Sequence, residues 1–328
     1  MSARLPDAGR NWVDDRAPEG LKPWLKLGRF DRPIGIWLLL LPGWQGIALA
    51  LASRLRMPTA YDLWLFVGFG IGACLMRAAG CAFNDIVDRD IDAQVARTAA
   101  RPIPSGRINV KQAWGFVIGC SLISLLILLT LGGTAILLGI GSLALVAAYP
   151  FMKRITWWPQ AWLGMTFNWG ALMGFAAASI TWWSFLPLEE TTVSVALRGE
   201  LSFAVVLLWV GGVFWTLGYD TIYALQDIED DAMVGVKSSA RRLGKDVRRG
   251  VAIFYGLAVA AAVLAGLSAG LGPVFFVMLV AYALHLVWQV RTLQPEDGAL
   301  ALRLFKSNRE AGLILLAAIG LGAVSFSL

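Results

Sequence analysis

Runs of about twenty mostly apolar residues recur nine times along the chain, near 33–52, 61–83, 110–131, 133–151, 158–180, 200–226, 247–268, 270–292 and 311–328. A bilayer core roughly 30 Å thick is crossed by about 20 residues of α-helix, so each run predicts a membrane-spanning helix. Pro42, Gly43, Gly211 and Gly212 fall inside these runs, where neighbouring helices satisfy the backbone groups they free. The expected fold is an all-α integral membrane protein: a nine-helix transmembrane bundle with a central cavity open to lipid and capped on the cytoplasmic side. Residues 1–30 are expected to form a cytoplasmic tail and 31–328 a single nine-span domain. The short connections at 131–133 and 266–271 predict hairpins, and the longer polar stretches are expected to cap the cavity.

Composition agrees, with 58% hydrophobic and 15% charged residues against about 25% charged in a soluble domain. The net charge of +6 does not point to nucleic acid, because the basic residues follow topology. All but four of the 28 Lys and Arg lie in the N-terminal segment and in every second loop; the opposite loops hold Arg54, Arg56 and Arg198, and Arg77 lies inside the second run. The positive-inside rule then places the N-terminus in the cytoplasm and the C-terminus on the far side. No cleavable signal peptide is read in the first thirty residues. Their acids, Asp7, Asp14, Asp15 and Glu19, favour a bacterial inner membrane over a mitochondrial one. Leu21, Trp24 and Leu25, with Lys22, Lys26 and Arg29 between them, read as a segment lying flat on the cytoplasmic surface or as a solvated linker. Cys74, Cys81 and Cys120 lack metal-site spacing and read as core residues, and His285 as a packed or hydrogen-bonded one.

Acidic residues are confined to places outside lipid unless function holds them near it. Two clusters stand out, each at the cytoplasmic end of a run. The first contains Asn84, Asp85, Asp88, Asp90 and Asp92. On a helix, the spacing of Asp85, Asp88 and Asp92 gathers three carboxylates on one face, where their repulsion is relieved by a bridging cation. A hard divalent ion such as Mg2+ fits all-oxygen ligands and is commonly shared with phosphate groups. The second cluster contains Asp220, Tyr223, Asp227, Asp230 and Asp231, whose spacing reads as another acidic helical face. A solvated acidic helix end is the alternative for either cluster alone; two such faces on one side favour a metal–diphosphate site. Arg97, Arg101 and Arg107 follow the first cluster, and Lys237, Arg241, Arg242 and Lys245 the second; Lys153 and Arg154 lie in a short loop on the same side. These bases suit phosphate oxygens, though inside loops are basic in any case. Phe167, Trp169 and Trp215 are candidates to stabilise an allylic cation through their ring faces.

The run Asn84-Asp85-x-x-Asp88-x-x-x-Asp92, with Arg97-Thr98 and Arg101-Pro102-Ile103-Pro104-Ser105-Gly106, resembles the first signature of the UbiA superfamily. Asp227-x-x-x-Asp231 with Gly235 and Lys237-Ser238 resembles the second. The segments around Arg77, from Tyr149 to Gly164 and from Gly218 to Asp227, are most similar to the branch that prenylates 4-hydroxybenzoate. The resemblance covers nearly the whole chain. It implies ionisation of a polyprenyl diphosphate and attack by the ring carbon ortho to the phenol hydroxyl, giving a ubiquinone precursor. It further implies Mg2+ at Asp85, Asp88, Asp92, Asp227 and Asp231, and catalytic roles for Asp88, Asp227 and Asp220, the last orienting the phenol or accepting a proton. The implied substrate-binding set is Asn84, Arg97, Arg101, Lys153, Tyr223 and Lys237, with Arg77 or Arg154 pairing the benzoate carboxylate. Membrane lipid is the expected surrounding of the isoprenoid tail.

Two readings compete. A divalent-cation transporter also uses membrane carboxylates, but near the midplane rather than at helix ends on one side. A non-catalytic scaffold accounts for the hydrophobicity and not for two acidic clusters. Within the enzyme reading, a different aromatic acceptor is the rival.

Overall fold

The computed structural model describes residues 11–94, 98–180, 199–228, 235 and 237–323, and no strand occurs among them. The helices are α1 (Trp12–Arg16), α2 (Lys22–Leu27), α3 (Ile34–Ser53), α4 (Ala60–Val87), α5 (Arg89–Asp92), α6 (Val110–Leu128) and α7 (Gly133–Ile155). They continue with α8 (Pro159–Ala178), α9 (Phe203–Tyr223), α10 (Ser239–Leu243), α11 (Val247–Ser268), α12 (Pro273–Thr292), α13 (Gly298–Lys306) and α14 (Asn308–Leu321).

Among the described residues, seven helical stretches are long and apolar enough to cross a membrane: α3, α4, α6, α7, Phe203–Gln226, Ser239–Ser268 and α12. Helices α8 and α14 fall on the two remaining predicted runs. The chain is an all-α, multi-pass membrane protein. Helix α6 turns Ile118, Leu122, Ile123, Leu125 and Leu126 outward, and α7 does the same with Leu137, Ile140 and Leu143. Side chains of that kind face lipid at no cost, whereas a water-exposed patch of such size would aggregate.

Boundaries differ from the sequence reading in ways that matter at the polar ends. Helix α4 runs to Val87 and carries the start of the first acidic cluster; α9 stops at Tyr223 and tightens into a 3-10 turn over Ala224–Asp227. Helix α12 begins at Pro273, where the missing N–H of proline is harmless. Pro42 and Pro150 sit inside α3 and α7 without ending them. The amphipathic α13 was not anticipated as a separate element; it buries Leu300, Ala301, Leu304 and Phe305 and exposes Arg303 and Lys306.

Contacts divide the chain into two compact units, residues 1–37 with 70–129, and 38–69 with 130–328. In the first, Leu27, Ala82, Ile86, Ile103, Ile108 and Ala113 form a core against which Trp24, Val110 and Phe116 pack. Of the two readings of residues 21–29, this overturns the solvated linker. Apolar Trp24 and Leu27 turn α2 onto α4 and α6. Trp12 Nε1 donates to the Phe30 carbonyl (2.9 Å) and Lys26 pairs with Asp14 (2.6 Å), tying α1 to the same fold.

In the second unit, α9 packs between α11 and α8, α7 lies on α8, and α12 packs on α14. A methyl group at Gly46 or Gly174 would overlap the facing backbone of Ala171 or Gly43, so α3 and α8 approach at backbone distance, as small residues permit in membranes. Buried polar groups are satisfied within this unit. Trp215 Nε1 donates to Asn308 Oδ1 (2.8 Å), Asn308 Nδ2 to Gln289 Oε1 (3.1 Å), and Tyr255 OH to the same Gln289 Oε1 (2.7 Å). The two basic residues between α3 and α4 are also engaged: Arg56 holds buried Asp62 through two contacts of 2.7 Å, and Arg54 reaches the Ser179 carbonyl (2.6 Å) and Glu200 (2.8 Å).

Candidate functional site

The first acidic cluster is built where α4 gives way to α5. Asp88 breaks the helix at φ −94° and ψ 3°, yet Asp88 N donates to Asn84 O (2.9 Å) and Asp92 N to Asp88 O (2.8 Å). Helical spacing therefore survives the bend. Asp85, Asp88 and Asp92 are buried, at 1%, 1% and 6% exposure. Buried carboxylates must be paired, and the structure shows how for two of them. Arg101 Nη1 lies 2.6 Å from Asp92 Oδ2 and 3.3 Å from Asp85 Oδ1, so both carboxylates converge on one cationic nitrogen.

Local chemistry folds Arg101 back to that point. Thr98 Oγ1 donates to Asp92 O (2.8 Å), Ser105 N and Oγ both donate to Arg101 O, and Ile108 N donates to Pro102 O (3.0 Å). Gly106 turns the chain at φ 73°, a left-handed conformation suited to glycine. Ile103 and Ile108 anchor the loop in the core of the unit.

Arg29 is the residue that sequence reasoning missed. Its Nη2 lies 2.8 Å from Asp85 Oδ1 and 3.0 Å from Oδ2, while Nη1 donates to the Lys26 carbonyl (3.1 Å). Burial opposes the guanidinium charge, but Asp85 first, then Cys81, Asp31 and Asp92, outweigh it and hold the pKa above the ordinary arginine value. The one sequence signal was a basic residue just before the first span, which the topology rule had already absorbed.

Arg77 lies on α4 of the same unit, with its guanidinium seated on Gly35 at the start of α3. A Cβ added at Gly35 would meet Arg77 Nε and Nη2 at 2.6 Å.

The second cluster begins on α9. Asp220 and Tyr223 are half-buried, and the Tyr223 ring lies 4.6 Å from that of Phe305 on α13. Tyr219 packs 5.2 Å from Trp215 and 5.8 Å from Phe305, so α13 steadies this end of α9. The reading of Asp220 and Asp227 as sharing one unbroken α-helical register is corrected. The 3-10 turn over Ala224–Asp227 winds at about three residues per turn, so the 3.6-residue register of α9 stops at Tyr223. The Asp227 side chain, Asp231 and Arg97 lie outside the described residues.

Past Gly235 the chain is clipped to the turn between α7 and α8. Lys237 N donates to Lys153 O (2.9 Å), Lys237 Nζ to Ile155 O (3.1 Å), and Ser239 N to Gln160 Oε1 (3.0 Å). Thr221 on α9 shares a 2.6 Å hydrogen bond with Ser239, and the Arg241 guanidinium lies 5.6 Å from the Trp157 ring centre. A backbone hydrogen bond thus links Lys237 to Lys153, and Arg154 lies exposed at the end of α7. Trp215, read as a candidate cation-stabilising ring, is buried with its indole committed to Asn308; Trp169 donates to the Leu138 carbonyl (2.8 Å) and packs edge-on against Trp209.

Among the described residues no three acidic, His or Cys side chains form a complete metal cage. Two buried carboxylates converging on one cation nevertheless fit magnesium, which takes one or two carboxylates and completes its shell with water and phosphate.

The model of the UbiA prenyltransferase family matches residues 39–309. A 4-hydroxybenzoate polyprenyltransferase, mitochondrial, of Arabidopsis thaliana is 42% identical over 313 residues, covering 95% of this chain and 71% of the relative. The apo structure of a UbiA homolog from Aeropyrum pernix K1 superposes with a TM-score of 0.68 at 26% identity, covering 86% of this chain and 96% of that one. A UbiA homolog from Archaeoglobus fulgidus bound to GPP and Mg2+ shares the fold, with a TM-score of 0.59 at 17% identity over 90% of this chain and 98% of that one. A family match across most of the chain, on a membrane-type helical fold, means that the protein belongs to the UbiA prenyltransferase family.

Proposed function

We propose that the protein transfers a polyprenyl group from polyprenyl diphosphate to 4-hydroxybenzoate, in a membrane, with Mg2+. The allylic C–O bond breaks, a C–C bond forms at the ring carbon ortho to the hydroxyl, and diphosphate and the ring proton depart. The product, a 3-polyprenyl-4-hydroxybenzoate, is a precursor of ubiquinone. The observation that carries the reading is the convergence of buried Asp85 and Asp92 on one guanidinium nitrogen, in a chain of this family.

Asp85, Asp88 and Asp92, with Asp227 and Asp231, are the proposed magnesium ligands, and Asp88 and Asp227 the carboxylates on which turnover depends most. Bound magnesium supplies Lewis-acid stabilisation of the departing diphosphate. Arg97, Arg101, Lys153 and Lys237 offer positive charge to its oxygens; the link between Lys237 and Lys153 supports their acting as a pair. Asn84 and Tyr223 bind substrate beside the carboxylates. Asp220 orients the phenol or takes its proton, and Arg77 or Arg154 pairs the benzoate carboxylate. Arg77 is favoured for that role, because its guanidinium lies packed over Gly35 whereas Arg154 is exposed. The isoprenoid tail remains in the bilayer.

The proposed location is a bacterial inner membrane with a cytoplasmic N-terminus, on the distribution of Lys and Arg. A mitochondrial inner membrane is the alternative, since the Arabidopsis relative is named mitochondrial. Purified protein with Mg2+, a polyprenyl diphosphate and a panel of labelled aromatic acids tests the reaction. Prenylation of 4-hydroxybenzoate ahead of the other acids is expected. Preference for another acid would replace the acceptor, and Mn2+ uptake into proteoliposomes without any prenylation would favour the transporter reading.

A further inference from the structure

We infer that Arg29 is a resident cation of the first acidic cluster, holding the Asp85 charge until a divalent ion takes it over, so that the ion by itself binds against a competing positive charge. This rests on the proposed reading of Asp85, Asp88 and Asp92 as divalent-ion ligands.

The guanidinium is fixed from both sides. Its Nη2 spans the two oxygens of Asp85 at 2.8 and 3.0 Å, and Nη1 holds the Lys26 carbonyl at 3.1 Å. The Asp85 side chain is 1% exposed and that of Arg29 16%, so water screens the pair little.

The backbone at Arg29 points the same way. Its φ is 58°, in the left-handed region, and the turn closes with Arg29 N on Lys26 O (3.2 Å) and Phe30 N on Leu25 O (2.9 Å). That is a helix C-terminal turn whose left-handed position is ordinarily glycine. Arginine there carries a conformational cost that glycine would avoid, and strain of this kind persists where the side chain has a task. The task visible here is Asp85.

Charge gives the sign of the effect. Arg29 and Arg101 place two guanidiniums on a cluster of three carboxylates. A divalent ion arriving there is attracted by the carboxylates and repelled by the guanidiniums. Removing Arg29 strengthens the attraction, provided the fold persists. Glycine at position 29 suits the backbone and removes only the charge and its contacts.

The test is titration of the detergent-solubilised full chain with Mn2+, following the free ion by electron paramagnetic resonance. Arg29→Gly is expected to bind Mn2+ about tenfold more tightly than the wild type, about 1.4 kcal/mol, and Arg29→Lys to stay within about twofold of it. Saturable binding by the glycine variant that is no tighter than the wild type overturns the inference and leaves the divalent-ion reading standing. Equal tightening in the lysine variant also overturns it, because charge would not be the cause. Absence of saturable binding in every variant removes the divalent-ion reading and the inference with it. Arg29→Asn, which also tolerates a left-handed backbone, gives the same comparison should the glycine variant fail to fold.

Discussion

Arg101 reaches back across nine residues to Asp92, placing Nη1 2.6 Å from its Oδ2, and the same nitrogen lies 3.3 Å from Asp85. The pairing makes the loop after α5 part of the acidic cluster. Arg101→Ala would leave buried carboxylates facing each other, a loss on the order of 2 kcal/mol for a pair that is partly solvated. Thermal unfolding of the variant in EDTA is expected to fall below that of the wild type, with Mg2+ restoring part of the difference by binding the folded state. An equal deficit with and without Mg2+ would argue against a divalent ion at this cluster.

Asp88→Asn and Asp227→Asn are each expected to lower turnover by at least about 10²-fold, the scale on which loss of electrostatic stabilisation acts. Insertion and helix content are expected to be retained. Lys153→Ala and Lys237→Ala are expected to raise the apparent KM for the diphosphate, whereas Arg303→Ala, exposed on α13, leaves it unchanged. Steady-state kinetics at saturating Mg2+ separates these cases. Equal effects at all three basic positions would remove the distinction between phosphate-binding and topological charges.

Gly35→Ala tests the seat of Arg77. The added methyl meets the far end of a flexible side chain, so α3 persists while the guanidinium moves. The apparent KM for 4-hydroxybenzoate is expected to rise about tenfold, a loss of about 1.4 kcal/mol, with little change in the diphosphate KM. Arg77→Ala is expected to go further in the same direction. An uncharged phenol acceptor, if used, loses less. Unchanged 4-hydroxybenzoate dependence in both variants would reassign the carboxylate to another cation.

The network around Asn308 makes a prediction about stability alone. Asn308→Leu strands Trp215 Nε1 and Gln289 Nε2, costing about 2–3 kcal/mol. Tyr255→Phe removes a single donor to Gln289 and costs about 1 kcal/mol. Thermal unfolding in detergent checks the order; a larger loss from Tyr255→Phe would contradict it.

The amino-acid sequence by itself determined the class and singled out the two acidic clusters. Apolar runs of spanning length are a local property that lipid enforces on any partner arrangement, and helices occur at all nine predicted runs. The acidic clusters were legible for the same reason, since charge at the edge of an apolar run has few places to go. Their internal geometry was less so. Helix spacing held through Asp88, where the backbone hydrogen bonds continue, and failed after Tyr223, where the chain tightens into a 3-10 turn that the Asp spacing does not announce. Only tertiary structure decided which groups the bases meet. Arg29 meets Asp85 across 56 residues, Lys237 meets the carbonyl of Ile155 across 82, and Gly35 receives Arg77 because two helices happen to approach there. Such pairings leave no periodicity behind. A basic residue near an inside loop satisfies the topology rule whether its charge faces water or a buried carboxylate, and only the folded chain removes the water that makes the two alike.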